Sequence, residues 1–397
     1  MRSKTRSEKL KKERAGLGIL GQVDFPFLMI TLCLVAYGLV MVFSASYYYS
    51  ISVLDNPFAY LIRDGAWVAM GLVAMAFAAL LNYRFYEKVA PFVIIICIVA
   101  LALIFTPLGV TRNGATRWLG VGGLTVMPGE WAKMGVIMFT AWFYGARKWA
   151  KENRASSLLR GILPELVVVG AIAFMIMKQP NLSTAITVCG IAVCMMLVAG
   201  MKWRYFWGVA AAGAGGLVFI LTAMKGSYWY SRIVGFTNPF DDFLGEGYQI
   251  AQSLLALGSG GFFGVGLGKS VQKTLYLPEP QNDFILAIIG EETGYLGLIL
   301  LLMAYCYFIW RGIRIALNAP DQFSMLLASG IVCMVAIQVI LNIAVVTASM
   351  PPTGINLPFI SYGGNGLLIF MFCAGIMLNI SRYASPPQKR ERNEVKE

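Results

Sequence analysis

Hydrophobic residues in this chain come in long, nearly unbroken runs, and polar residues are confined to the intervals between them. Apolar stretches fall at about 24–46, 65–82, 89–107, 131–146, 162–178, 184–200, 205–224, 285–310, 323–349 and 364–382. A hydrocarbon layer about 30 Å thick is crossed by roughly 20 helical residues. The pattern predicts an all-α, polytopic membrane protein of about ten transmembrane helices. The first run is too long for a signal-peptide core and lacks a small-residue cleavage site, so it reads as a retained helix. No internal repeat of useful length is visible, which weighs against inverted-repeat transporters.

Charge orients the bundle. Seven Lys/Arg lie between Arg2 and Arg14 and five between Arg382 and Lys396. With the N-terminus inside, 23 of the 32 Lys/Arg fall in cytoplasmic segments, as the positive-inside rule requires. An even helix count returns the C-terminus to the same side. The organisation predicted is a basic cytoplasmic tail (1–23), one membrane domain (24–382) and a second basic tail (383–397). Three informative segments are then external: 108–130, 350–363 and a large loop, 225–284, within which Ile250–Leu257 reads as a helical piece lying back on the membrane surface.

Composition agrees and excludes several chemistries. Hydrophobic residues make up 58% of the chain and charged ones 13%, against about 25% charged in soluble domains. The basic tails suit anionic lipid, and no basic face with interleaved aromatics points to nucleic acid. The seven cysteines all sit inside apolar stretches without a CxxC pair, so they read as buried hydrophobes. Histidine is absent, which removes imidazole bases and His metal sites.

A few polar positions stand out. Gly258 to Ser270 imitates a phosphate-binding loop, but the glycine needed at 263 is Phe263 and Gly264 comes one residue late. Close backbone packing is the reading preferred there. Asp283 follows Leu277-Pro278-Glu279-Pro280-Gln281-Asn282 where the long loop enters a helix. A carboxylate at an apolar boundary suits a general base, although spacing alone favours a helix N-cap. Glu130 and Lys133, at i and i+3 after Pro128, form either a structural ion pair or one wall of a polar cavity. Gln338 and Asn342 share a helix face, with interhelical hydrogen bonding the plain account. Of Glu291 and Glu292, at least one points into the bundle. Arg117, Arg232, Lys269 and Lys273 are the external cations best placed to meet a phosphate-bearing lipid.

Together these segments resemble the SEDS family of cell-wall proteins, the RodA/FtsW group. The carriers are Asn113 to Trp118; Pro128 with Glu130 and Lys133; Gln179 to Ala185; Asn238-Pro239-Phe240 with Gly247-Tyr248-Gln249 and Gln252-Ser253; Gly258 to Gly268; Lys273; Leu277-Pro278-Glu279; Asp283-Phe284; and Pro352 to Gly364. Departures occur at Met127-Pro128-Gly129-Glu130, at Asn181 and Ser183, and at Asn365; the change at Asn181 removes a carboxylate. The resemblance covers roughly residues 24–382. It implies a peptidoglycan glycosyltransferase of the bacterial cytoplasmic membrane that polymerises lipid II with a class B penicillin-binding protein. Asp283 would be the catalytic residue, and Glu130 and Lys133 would line the cavity. Stabilisation of the departing pyrophosphate would fall to Arg232, Lys269 or Lys273, or to a divalent cation, Mg or Mn. Two other readings compete. A lipid II flippase needs polar groups at mid-membrane, whereas this chain concentrates them outside. A non-catalytic scaffold for the penicillin-binding protein would tolerate the loss of Asp283.

Overall fold

The computed structural model describes residues 23–112, 115–121, 124–146, 154–223, 236, 239–240, 245 and 247–383. Among them are eleven α-helices: α1 (Phe25–Leu54), α2 (Ala59–Leu80), α3 (Tyr83–Leu103), α4 (Pro128–Gly145), α5 (Leu163–Lys178), α6 (Leu182–Val198), α7 (Trp203–Ala223), α8 (Tyr248–Ser259), α9 (Ile285–Leu317), α10 (Gln322–Val346) and α11 (Gly364–Tyr383). All except α8 lie over the ten apolar runs. Seven are long and apolar enough to cross a membrane, counting α5 with the π-turn at Leu158–Ile162 that leads into it. The chain is a multi-pass membrane protein.

One element was not foreseen. Between α3 and α4 the chain forms a three-stranded antiparallel sheet: β1 (Gly109–Arg112), β2 (Ala115–Val121) and β3 (Leu124–Val126). The strands are three to seven residues long, too short for their alternation to stand out beside the apolar runs.

The helices differ in how they meet lipid. On α2, Ile62, Val73, Phe77 and Leu80 are exposed, as are Phe92, Ile95 and Ile96 on α3. These apolar side chains need no polar partner in a bilayer. α11 is buried along most of its length and packs closely on α2. A Cβ at Gly375 would lie 2.3 Å from the Met75 carbonyl oxygen, so only glycine lets these backbones approach.

α9 is broken at Gly294, whose φ of 67° and ψ of −171° are open to glycine almost alone. The glycine-rich segment read as a false phosphate loop repairs the break. Val265 and Gly266 donate backbone N–H groups to the Glu291 and Glu292 carbonyls, while Tyr295 and Leu296 donate to Gly261 and Phe262. A Cβ at Gly264, where φ is 79°, would meet the Glu292 carbonyl oxygen at 2.2 Å. Close backbone packing is what this segment does.

At the opposite end of α9, Arg311 Nε donates to Asp24 Oδ1 at 2.9 Å, and the same oxygen caps α1 by accepting from Phe27 N. Tyr83 Oη donates to Asp321 Oδ2, and Asp321 forms a capping box with Ser324 at the start of α10. Pairs of this kind fix where the helices begin.

Candidate functional site

Four segments converge at one end of the bundle: β1–β3, the α5–α6 turn, the approach to α9 and residues 350–363. Main-chain carbonyls do most of the joining. Arg117 on β2 donates to the Gln179 and Pro180 carbonyls, and Ser183 Oγ donates to the Thr353 carbonyl at 2.5 Å. Asn342 Nδ2, from α10, reaches both the Asp283 carbonyl at 2.8 Å and the Ile355 carbonyl at 2.7 Å. Tyr362 N donates to the Gln281 carbonyl, and Asn365 Nδ2 donates to the Thr125 carbonyl on β3.

These segments enclose a cavity of about 1340 Å³. Arg117, Glu130, Lys133 and Asp283 all line it. Asp283 is half-buried. The N-cap position of α9 falls on Phe284, one residue after Asp283. Gly354, with φ of 73°, brings the 350–363 segment against the carboxylate, close enough that a Cβ there would lie 3.1 Å from Asp283 Oδ2. The Lys133 ammonium lies 2.7 Å from Glu130 Oε2 and 5.8 Å from the centre of the Phe370 ring. The pair is ion-paired and its two side chains also form part of the cavity wall. Lys178 adds another cation to the lining.

The remaining candidate cations lie elsewhere. Lys269 is exposed and is not part of the cavity wall. Lys273 departs from expectation: its side chain is 2% exposed, and its ammonium is held 2.6 Å from Glu292 Oε1 and 3.1 Å from Ser44 Oγ. A charge on a long loop looks solvated in sequence, but here the loop folds into the bundle and buries it. Arg232 lies outside the described residues, as do Asn113-Gly114, residues 1–22 and residues 384–397. Glu291 accepts from Ser270 Oγ, Val271 N and Gln272 N, and so caps a turn; Glu292 pairs with Lys273.

Several lining residues were not singled out as a site beforehand: Trp67, Asn181, Thr353, Asn356 and Gln338. Of the polar ones only Gln338 lies within an apolar run, where polarity is a visible signal; Asn181, Thr353 and Asn356 lie in connecting segments whose placement depends on the fold. Asn181, the departure that removes a carboxylate, caps α6 by accepting from Thr184 N. Among the described residues no three His, Cys, Asp or Glu groups gather as a metal cage. Asp283 and Glu279 do line the same cavity, and that donor set suits Mg²⁺, which takes one or two carboxylates together with substrate phosphates.

Comparison with known proteins agrees with this architecture. The FtsW/RodA/SpoVE model, described as cell cycle protein, matches residues 25–386. Stage V sporulation protein E of Bacillus subtilis is 41% identical over 362 residues, covering 91% of this chain and 97% of that protein. A probable peptidoglycan glycosyltransferase FtsW of Geobacter metallireducens is 37% identical, covering 90% and 94%. The crystal structure of Thermus thermophilus RodA superposes with a TM-score of 0.64 at 25% identity, over 92% of this chain and 99% of that one. A chain of a peptidoglycan synthase complex superposes with a TM-score of 0.74 at 24% identity, over 91% and 98%, a likeness of fold. The chain belongs to the FtsW/RodA/SpoVE family.

Proposed function

We propose that the chain is a peptidoglycan glycosyltransferase that polymerises lipid II at the outer face of the bacterial cytoplasmic membrane. One observation carries the reading: a half-buried carboxylate, Asp283, shares a cavity with the Glu130–Lys133 pair and the cations Arg117 and Lys178, inside a largely apolar bundle. The relatives named as probable peptidoglycan glycosyltransferases support it.

The chemistry follows from those groups. The 4-hydroxyl of one lipid II attacks the anomeric carbon of another. A new C–O bond forms as the bond to phosphate breaks, and its electron pair leaves with undecaprenyl pyrophosphate. Asp283 takes the hydroxyl proton, and a single displacement inverts the anomeric centre. Arg117 and Lys178 set positive charge in the cavity where the pyrophosphate gains negative charge. Glu279, on the same cavity wall, would hold a divalent ion together with substrate phosphate oxygens, and that ion would neutralise phosphate charge. A class B penicillin-binding protein is the partner proposed.

The test is polymerisation of lipid II by the purified chain, with and without a class B partner. Wild type makes glycan strands, and Asp283→Asn, inserted and partner-bound as wild type, loses about 10²- to 10⁴-fold in kcat. Strands made by Asp283→Asn at the wild-type rate would refute the base. Scrambling of lipid II in vesicles without polymerisation would favour a flippase instead.

A further inference from the structure

The cavity wall carries buried polar groups that neither the fold nor the proposed chemistry uses. Gln338, on α10, is 2% exposed and lines the cavity, yet its Nε2 has no hydrogen-bond partner among the described residues. Thr353 is 8% exposed, lines the same cavity and leaves Oγ1 without a partner, while its carbonyl accepts from Ser183. A buried amide or hydroxyl without a partner gives up its hydration for nothing. The contrast with Asn342, one turn along the same face, is informative. Asn342 gives its Nδ2 hydrogens to two loop carbonyls and has a structural task. Gln338 has none.

We propose that Gln338 is a specificity residue whose side-chain amide hydrogen-bonds the acetamido group on C2 of the attacking sugar, with Thr353 beside it in the same wall. The proposal rests on the glycosyltransferase reading above. Both residues sit on walls that hold Asp283: α10 through the bond from Asn342 to the Asp283 carbonyl, and the 350–363 segment through Gly354. Gln338 lies four residues from Asn342, about 6 Å along the helix. On a pyranose the C2 acetamido group is two ring carbons from the 4-hydroxyl, so a sugar with that hydroxyl at Asp283 keeps its acetamido group within the same cavity, which Gln338 also lines. The chemical type also fits. Gln338 and Thr353 are neutral, so they match a neutral amide, whereas the cavity's cations match phosphate. A primary amide complements a secondary amide as both donor and acceptor.

The experiment compares two acceptors, lipid II and lipid II whose non-reducing sugar carries a free amine in place of the acetamido group. The full chain is used with its class B partner. Wild type should prefer the acetylated acceptor about tenfold in kcat/KM, the worth of one buried hydrogen bond. Gln338→Met should lose that preference, and Gln338→Asn, one methylene shorter, should lose most of it. The preference is a ratio within one preparation, so a reduced yield of folded protein does not change it. A variant that keeps the wild-type ratio overturns the proposal, as does a wild type with no preference. If wild type polymerises neither acceptor, the glycosyltransferase reading falls. The equilibrium affinities of wild type and Gln338→Met for the two lipids then decide the amide contact by the same ratio.

Discussion

Replacing Lys273 by Met separates two roles for that residue. The ammonium lies 2.6 Å from Glu292 Oε1 and 3.1 Å from Ser44 Oγ, and the two paired side chains are 2% and 0% exposed. Lys273→Met keeps most of the volume but leaves the Glu292 carboxylate buried with only Ser44 to oppose it. Removing one partner of a buried pair costs about 3–5 kcal/mol. At 1.4 kcal/mol per factor of ten, that is about two to three and a half decades in the equilibrium for opening the loop clasp. The reporters are the Val265 and Gly266 amides, bonded to the Glu291 and Glu292 carbonyls at 2.9 and 3.0 Å. Hydrogen exchange over 260–276 should accelerate by that factor, while exchange in α10 and α11 stays unchanged. Converting both partners, Lys273→Met with Glu292→Met, should restore most of the protection, because no unpaired charge remains. Exchange within threefold of wild type in the single variant, together with a raised KM for lipid II, would make Lys273 a substrate ligand and refute the structural role.

Two further outcomes follow from main-chain geometry. Asn342→Ala frees the Asp283 and Ile355 carbonyls at a cost of about 1–3 kcal/mol each; kcat for lipid II polymerisation should drop at least about tenfold, with insertion unchanged, and an unchanged kcat would show that the tie does not position Asp283. Gly294→Ala asks a Cβ to sit 2.3 Å from the Gly264 nitrogen and 2.5 Å from the Phe262 carbonyl oxygen; detergent-extracted monodisperse protein should fall sharply, and a wild-type yield with wild-type melting would count against the clasp.

The helices were legible because the solvent they face is uniform. A run long enough to cross lipid has few alternatives to helix, so Phe25–Leu54 and Gln322–Val346 follow directly from apolar length. Their ends were less clear. α1 continues eight residues past the predicted 46 through Tyr47–Leu54, where polar aromatics interrupt the hydrophobic signal. The β1–β3 sheet escaped notice because its stability comes from pairing and not from any apolar run. At the site, Asp283 carried a carboxylate at a helix entrance, but residues alone favoured a cap; the choice of base came from the family pattern. That Arg117, Glu130, Lys133 and Asp283 share one cavity is a fact of tertiary folding, spread over nearly 170 residues of sequence. Lys273 misled because exposure of a loop charge cannot be read without knowing where the loop goes. Gln338 and Asn342 were correctly given one face, yet Asn342 bonds loop carbonyls and not another helix's side chains.

The splint across the α9 break has a consequence for inheritance. Tyr295 and Leu296 depend on Gly261 and Phe262 for acceptors, and the Glu291 and Glu292 carbonyls depend on Val265 and Gly266 for donors. A residue inserted into or deleted from either stretch shifts one side of this ladder against the other and leaves main-chain groups without their partners. Insertions or deletions confined to 261–266 or to 291–296 should therefore be rejected, so the glycine loop and the kinked helix can change length only together.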